Sequence, residues 1–257
     1  MAGRIVIRRE GSVAWITIAH DAKLNTLNPE LMESFIAEVG SLAGEDGLRV
    51  AVLTGEGDRA FIGGADIGAM AAIADGDSAT QFITLVHRCC DALRSLPIPV
   101  IARVNGWTLG AGLEVAASCD LRLAAETARF GMPEVRVGIP SVVEAALLPG
   151  LIGWGRARRL LLLGETIGAA EAFAWGLVEK VVPIDLLDTA LAEWIGHLLA
   201  AGPQAVRNQK RLIRAWEDLP MREAIAAGIP AFAAAWEGDE PRRMMAAFLD
   251  RQRTPRG

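Results

Sequence analysis

The amino-acid sequence predicts an α/β domain followed by a helical C-terminal region, on the basis of three observations. Apolar and polar residues alternate near the N-terminus, which is the pattern of half-buried strands. Short apolar runs and helical periodicities then follow one another, as in the β/α units of a layered domain. After Val182-Pro183 the periodicity is helical throughout.

Local signals predict the first elements. Apolar residues alternate on both sides of Gly11-Ser12, which predicts a β-hairpin with its turn at that dipeptide. Asn28-Pro29 has the form of a helix start, with an N-cap residue and a proline in the first turn, and Gly40 ends this helix. The apolar run 48–53 predicts a buried strand, so that strand, helix and strand form a right-handed crossover.

Later segments repeat this order. A helix is expected over 79–94, stopped by Pro97 and Pro99, and a buried strand over 100–104 leads through glycine-rich sequence into a helix from Gly112. Four C-terminal helices are expected at 186–199, 203–216, 221–236 and 241–251. Because these helices carry several large apolar residues, we expect them to pack on another subunit.

The composition is that of a globular chain and argues against nucleic-acid binding. The 257 residues include 26 Lys and Arg and 31 Asp and Glu, a formal charge of −5, and 52% of residues are hydrophobic. No apolar run reaches the roughly 18 residues of a membrane-spanning helix. The segment Arg4–Arg9 is too polar for a secretory signal. We expect a cytoplasmic protein that binds neither nucleic acid nor membranes.

Several classes of site lack their sequence signatures. The three cysteines, of which Cys89 and Cys90 are adjacent, cannot form a disulfide framework, and the three histidines lack metal-ligand spacing. The sequence has no dinucleotide-binding fingerprint, no P-loop and no serine-hydrolase elbow. We therefore expect no metal and no bound cofactor.

Two glycine-rich turns are the first candidates for a functional role. Phe61–Ile67 and Asn105–Gly112 each follow a strand that is predicted to be buried. Glycine lets backbone N–H groups approach a ligand closely, and donors at a helix start point outward with the helix dipole behind them. The two turns could converge on one oxygen atom. Small residues that only allow tight packing explain each turn alone equally well.

Two glutamates follow these turns. Glu114 lies in an uncharged stretch at the predicted start of a buried helix, and Glu134 follows Pro133 among apolar neighbours. A buried carboxylate is costly unless it is paired, hydrogen-bonded or functional. Two such groups can acquire the different pKa values that acid/base catalysis requires. For either residue alone, a helix-terminal charge or a salt bridge remains the alternative.

At these residues the sequence resembles the crotonase, or enoyl-CoA hydratase/isomerase, superfamily. Individually weak matches occur in the family's order and spacing over nearly the whole chain. They comprise 23–28, 63–67, 99–102, 105–106, 110–120, 130–134, 164–167, 169–172 and 175–178. The resemblance implies a spiral of ββα units as the catalytic core over residues 1–195. It also implies a helical region over 196–257 that covers the pocket and forms a homotrimer or a dimer of trimers.

The resemblance also implies chemistry on an acyl-CoA thioester, whose coenzyme A enters with the substrate. The thioester oxygen would lie between the backbone N–H groups of Ala65 and Ala111, which stabilise the charge of an enolate. Glu134 would protonate C2 of a trans-2-enoyl-CoA while Glu114 deprotonates the water that adds to C3. Substrate contacts are predicted for Lys23, Leu24, Ala65, Asp66, Ile67, Trp107, Gly110, Met132, Ser141 and Arg251.

Some of these positions depart from the family pattern or have a second interpretation. Gly68 replaces a basic residue that many members carry near the CoA phosphates. Lys23 and Arg251 are therefore the candidate phosphate ligands, with ordinary surface charge as the alternative. Trp107 and Met132 fit the acyl pocket and the core equally well.

A third acid, Glu144, follows Glu134 closely in the sequence. We expect it to pair with an arginine such as Arg136, rather than to bind a polar acyl group or to repel Glu134. Ser141 is expected to cap a turn, with a hydrogen bond to water or to the acyl chain as the alternative.

The sequence thus predicts an enoyl-CoA hydratase. Single-base isomerases of the superfamily characteristically lack one of the two glutamates, so the presence of both favours hydration over double-bond isomerisation. A non-catalytic acyl-CoA-binding or RNA-binding scaffold is the alternative outside enzymes. The intact pair and the acidic charge balance disfavour it.

Overall fold

Two sheets form the framework of residues 3–253, the part of the chain that the computed structural model describes, with side chains up to residue 250. The strands are β1 (Arg4–Glu10), β2 (Val13–Ala19), β3 (Val50–Gly55), β4 (Ala60–Ile62), β5 (Val100–Val104), β6 (Trp107–Leu109), β7 (Leu121–Ala125), β8 (Arg129–Gly131), β9 (Thr166–Gly168) and β10 (Lys180–Val182). The larger sheet has the order β1-β2-β3-β5-β7-β10, and the smaller has the order β4-β6-β8-β9.

The larger sheet begins with the predicted hairpin. β1 and β2 pair antiparallel on either side of Gly11, whose φ of +56° suits glycine. From β2 onward the strands pair in parallel. The parallel pairing of β2 with β3 confirms the predicted crossover connection. β3 is buried along its whole length, as expected for a parallel strand inside a sheet.

The smaller sheet corrects one detail of the prediction. The predicted glycine-rich turns are partly strand, because the three-residue strands β4 and β6 occupy the beginning of Phe61–Ile67 and the middle of Asn105–Gly112. Strands of this length are too short to show a periodicity in the sequence. β4 pairs with β6 in parallel, and β6 pairs in the same way with β8. The glycine turns therefore leave the ends of two neighbouring strands.

The predicted helices are confirmed to within a few residues. In the described range the helices are α1 (Pro29–Ser41), α2 (Ile67–Ala71), α3 (Gly76–Ser95), α4 (Ala111–Ala117), α5 (Leu148–Ile152), α6 (Trp154–Leu163), α7 (Ala169–Trp175), α8 (Leu187–Ala200), α9 (Pro203–Asp218), α10 (Met221–Ala235) and α11 (Glu240–Arg253). Asn28 caps α1 by accepting a hydrogen bond from the N–H of Leu31. α3 begins earlier than expected because Asp75 and Ser78 form a capping box.

The chain divides into two units, Met1–Trp194 and Ile195–Gly257. The first unit contains both sheets and a hydrophobic core that includes Phe35, Phe61 and Phe130, all essentially inaccessible to solvent. Every residue of α4 is buried in this unit. The only ionisable side chain of α4 is therefore placed inside the protein, and it belongs to Glu114.

The second unit contains the helices α9 to α11. At the start of α11, Glu240 accepts hydrogen bonds from the N–H groups of Gln204 and Ala205 at 3.0 and 2.9 Å, which satisfies donors in the first turn of α9. α10 exposes a row of large apolar side chains. These are Met221, Ile225, Ile229 and Phe232. No helix among the described residues combines the length and the apolar character that crossing a bilayer requires.

Candidate active site

A cavity of about 470 Å³ lies in the first unit, where both glycine-rich turns meet α3 and the segment 133–142. Its wall is mostly apolar, and it includes Ala65, Ala111 and the two glutamates Glu114 and Glu134. The structure therefore brings the four central residues of the sequence prediction to one cavity. Within residues 3–250, no three His, Cys, Asp or Glu side chains are grouped so that they could hold a metal ion.

The first glycine turn is held by the segment that precedes α1. The N–H of Leu27 donates to the carbonyl of Gly64 at 2.9 Å, and the N–H of Asp66 donates to the carbonyl of Leu27 at 2.8 Å. Gly64 has a φ of +112°, a conformation that favours glycine. These contacts fix the peptide on each side of Ala65, which itself lines the cavity.

Asp66 ends this turn by capping α2. Its Oδ1 accepts a hydrogen bond from the N–H of Ala69 at 2.9 Å, and this bond is the main reason that the pKa of Asp66 is lowered. Lys23 lies 3.2 Å from Oδ2 of Asp66 and is largely exposed. The contacts of Asp66 are thus those of a helix cap with a surface ion pair.

The second glycine turn leads directly into α4. Gly110 has a φ of +50°, and its N–H donates to the carbonyl of Gly131 at 2.9 Å. Its carbonyl accepts from the N–H groups of Leu113 and Glu114, at 2.8 and 3.1 Å. Ala111 is the first residue of α4, where a backbone N–H has no partner within the helix.

The backbone N–H groups of Ala65 and Ala111 share one property. Among the hydrogen bonds of the described residues, neither group donates to a protein acceptor. Ala111 is buried, Ala65 is partly buried, and both residues line the cavity. Because N–H groups shielded from water are nearly always paired, two such donors without a protein acceptor make the cavity a candidate site for an acceptor atom.

Glu114 reaches the cavity from α4 with only 4% of its surface exposed. Its Oε1 accepts a hydrogen bond from the N–H of Ala145 at 3.1 Å. Burial, followed by the negative charge of Glu134, raises the pKa of Glu114 to about 8, although the Ala145 N–H acts in the opposite direction. The protonated form of Glu114 is therefore favoured far more than that of an exposed glutamate.

Glu134 lies on the 3₁₀ turn Pro133–Val137. Its Oε2 accepts a hydrogen bond from the hydroxyl of Ser141 at 2.8 Å. Its Oε1 lies so close to Gly110 that a methyl group at that glycine would overlap it. Glu134 therefore depends on a glycine of the second turn for its place in the cavity.

Other predicted residues lie away from the cavity wall. Met132 is fully buried among core residues, which agrees with the second of its two interpretations, and Trp107 is 42% exposed on β6. Lys23 and Leu24 are also outside the wall, whereas Ile67 and Ser141 belong to it. Arg251 falls in α11 among the residues whose side chains lie outside the described structure.

The predicted partner of Glu144 is wrong. Glu144 contacts Nδ1 of His87 at 2.7 Å, while the guanidinium of Arg136 points to the carbonyl of Leu163. His87 lies on α3, far from Glu144 in the sequence, so local sequence gave no indication of this pair. The negative charge of Glu144 also raises the pKa of Glu114, after the larger effects of burial and of Glu134.

Sequence reasoning missed the part of the cavity wall that α3 supplies. Phe82, Ile83 and Val86 line the cavity from this helix. Their helical spacing was visible in the sequence, but the same spacing is expected for a helix that only packs on the core. Ala145 was also missed, because its role depends on its backbone N–H and not on its side chain.

Comparison with known proteins agrees with this geometry. Residues 8–255 match the enoyl-CoA hydratase/isomerase family. A short-chain-enoyl-CoA hydratase of Clostridium acetobutylicum is 34% identical over 251 residues, which cover 97% of this chain and 95% of the relative. A 2,3-dehydroadipyl-CoA hydratase of Escherichia coli is 31% identical over 98% of this chain and 97% of its own length.

A solved structure shows that the likeness extends to the fold. The crystal structure of an enoyl-CoA hydratase from Bacillus anthracis superposes with a TM-score of 0.92 at 31% sequence identity, and the match covers 98% of this chain and 97% of that chain. The predicted crotonase-type α/β fold is therefore confirmed. The extent of the family match and the cavity described above lead to one conclusion: the chain belongs to the enoyl-CoA hydratase/isomerase family.

Proposed function

We propose that the protein is an enoyl-CoA hydratase, which adds water reversibly across the C2–C3 double bond of a trans-2-enoyl-CoA to give a 3-hydroxyacyl-CoA. The observation that carries the proposal is the pair of glutamates, Glu114 and Glu134, on the wall of the cavity that also holds two unpaired backbone donors. The names of the relatives, several of which are enoyl-CoA or crotonyl-CoA hydratases, support the same reaction.

The N–H groups of Ala65 and Ala111 are proposed to bind the thioester oxygen. Addition of water to C3 pushes electrons through C2 into the carbonyl, so negative charge grows on that oxygen as the enolate forms. Donors that are already in place stabilise this charge without reorganisation, and each contributes about 2.7–4 kcal/mol in comparable enzymes. The hydrogen bonds that fix the backbone on both sides of Ala65 would keep its N–H in place before the substrate binds.

The two glutamates are proposed to share one proton. One carboxylate takes a proton from the water as its oxygen bonds to C3, and the other carboxyl gives a proton to C2 of the enolate, so the pair ends with as many protons as it began. Before substrate binds, the raised pKa of Glu114 favours this proton on Glu114. If Glu134 is the acid, the proton must first pass from Glu114 through the bound water, with Glu114 then acting as the base.

The apolar wall is proposed to hold the acyl chain. Phe82, Ile83 and Val86 of α3 and Ile139 of the segment 133–142 supply hydrocarbon surface to the cavity. Contacts of coenzyme A with Lys23, Leu24, Asp66 and Arg251 remain predictions from the resemblance.

Incorporation of solvent oxygen tests the reaction itself. Purified protein is incubated with crotonyl-CoA in heavy-oxygen water, and the products are analysed by mass spectrometry. We expect labelled 3-hydroxybutyryl-CoA. An unlabelled, isomerised product from a 3-enoyl-CoA, with no hydration of any 2-enoyl-CoA, would contradict the proposal and favour an isomerase.

Two single substitutions test the glutamate pair. Glu114→Gln and Glu134→Gln keep the shape of each side chain but remove its acid/base function, so we expect each to lower kcat by roughly 10²–10⁴-fold. Glu38→Gln, on the exposed surface of α1, is the matched control and should retain full activity. Full turnover in either cavity variant would remove that glutamate from the mechanism.

We also propose that the C-terminal helical region assembles the chain into a trimer or a dimer of trimers. The exposed apolar row on α10, which includes Ile225 and Ile229, supports this assembly because monomers seldom expose such surface. Light scattering coupled to size-exclusion chromatography measures the mass directly. A monomer that hydrates enoyl-CoA would contradict the proposed assembly but would agree with the proposed activity.

A further inference from the structure

Glu144 lies close to the cavity without being part of its wall. It belongs to the 3₁₀ turn Val143–Leu147, its side chain is only 10% exposed, and its Oε1 contacts Nδ1 of His87. Its Oε2 is buried and has no hydrogen-bond partner among the described residues. A buried carboxylate oxygen without a donor leaves its charge poorly screened, so that charge acts strongly on nearby groups.

The backbone of the same turn contacts Glu114. The N–H of Ala145, the next residue, donates to Oε1 of Glu114 at 3.1 Å. The preceding residue, Val143, has a φ of +40°, which is strained for a β-branched side chain. Strain of this kind persists only where surrounding contacts enforce it. The contact of Glu144 with His87 and the hydrogen bond from Ala145 are two contacts that hold this turn.

The charge of Glu144 also reaches Glu114. It raises the pKa of Glu114, in addition to the larger effects of burial and of Glu134. It acts in the same direction on the buried thiol of Cys90 on α3, after the effect of burial. The titratable groups that Glu144 contacts or acts on are His87, Cys89 and Cys90 on α3 and Glu114 on α4. Arg88 in turn acts on Cys89, and Glu134 acts on Glu114.

We propose that Glu144, held by His87, is a positioning residue for Glu114. Through the N–H of Ala145 it sets where the Glu114 carboxyl lies, and its negative charge adds to burial and to Glu134 in favouring the protonated carboxyl. The inference rests on the proposed hydration, which requires one proton on the pair of glutamates. Glu144 itself touches neither the substrate nor the water.

The pH dependence of kcat/KM tests this role. In the wild type, activity should fall as Glu114 loses its proton. In Glu144→Gln the negative neighbour is gone, so we expect the alkaline limb of the kcat/KM profile to move to lower pH. Glu144→Asp retains the charge and should keep the limb near the wild-type position. Glu38→Gln is the surface control and should not move it. If the alkaline limb of Glu144→Gln lies at the same pH as that of the wild type, the proposal is overturned.

A direct measurement separates this inference from the proposed function. The infrared band of the protonated Glu114 carboxyl is isolated by subtracting the spectrum of Glu114→Gln, and its pH midpoint is followed without substrate. We expect a lower midpoint in Glu144→Gln and a nearly unchanged one in Glu144→Asp. An unchanged midpoint in Glu144→Gln would contradict the proposed role of Glu144. If the wild type hydrates no enoyl-CoA, the proposed function fails, while the infrared titration still decides the role of Glu144.

Discussion

The two elements that supply the glutamates differ in how they hold them. α4 is buried at every position, and Glu114 is fixed by a backbone N–H of a neighbouring turn. The segment 133–142 is largely exposed, with Val137 at 60% and Ile139 at 42%, and Glu134 is fixed by the hydroxyl of Ser141. The buried glutamate is thus held by a backbone N–H, and the more exposed one by a side chain that can be exchanged without disturbing the core.

Removal of one backbone donor should have the largest effect. Ala111→Pro deletes the N–H while keeping a residue that the first position of a helix tolerates. We expect kcat to fall by roughly 10²–10³-fold, as for the loss of other oxyanion donors. Ala111→Ser, which keeps the N–H, should stay within a few-fold of the wild type. Equal kcat values for the two folded variants would contradict the role of this donor.

A methyl group at Gly110 should act almost as strongly. In Gly110→Ala it overlaps Oε1 of Glu134 and must displace that carboxylate, so we expect kcat/KM to fall by on the order of 10²-fold. Gly138→Ala is the matched control. Gly138 also has a positive φ, of +84°, but a methyl group there meets open space. It should cost about 1 kcal/mol of stability and little activity. If Gly110→Ala and Gly138→Ala lose similar activity, the fall in kcat/KM results from backbone strain and not from displacement of Glu134.

The buried acid should make stability depend on pH. The pKa of Glu114 is raised from 4.5 to about 8, so between these values the unfolded chain releases a proton that the folded chain keeps. The free energy of unfolding therefore falls as pH rises through this window and levels off above it. Glu114→Gln removes this penalty. We expect its stability relative to the wild type to improve by a few kcal/mol between about pH 5 and about pH 9. Urea denaturation at the two pH values measures the difference, and a constant difference would contradict the raised pKa.

The hydroxyl of Ser141 should contribute less, because it acts on a more exposed carboxylate. Ser141→Ala removes the 2.8 Å hydrogen bond to Glu134, and a bond to a charged group is worth about 1.5–3 kcal/mol at most. We expect kcat to fall by roughly tenfold. Ser141→Thr keeps a hydroxyl and should recover most of the activity. No difference between the Ala and Thr variants would show that Ser141 only shapes the turn.

Substitutions in the exposed part of the cavity wall should change stability least. Ile139 lines the cavity and is 42% exposed, so Ile139→Ala should alter the free energy of unfolding by about 0.5 kcal/mol or less. Its effect should appear in KM for longer enoyl-CoA chains and not for crotonyl-CoA. Equal changes for short and long substrates would place Ile139 outside the acyl pocket.

Sequence reasoning succeeded where the signal is local. The hairpin at Gly11 and the cap at Asn28 follow from a few neighbouring residues, and both are present in the structure. Glu114 stood out because a single acid interrupts an apolar helix. The pairing of β4 with β6 and the contact of Glu144 with His87 join residues that are distant along the chain, and no local pattern encodes them. The apolar face of α3 was visible, but burial against the core and burial against a cavity leave the same pattern.

The short pairing between β4 and β6 also bears on how such a site can diverge during evolution. It sets Ala60 opposite Trp107 and Ile62 opposite Thr108. Ile62 and Thr108 each lie three residues before a proposed donor, Ala65 or Ala111. Exchange of the side chains at 65 and 111 leaves both N–H groups in place, whereas one inserted or deleted residue between strand and donor would turn an amide away. Loop length, more than residue identity, is therefore what descendants of this chain must inherit to keep the reaction.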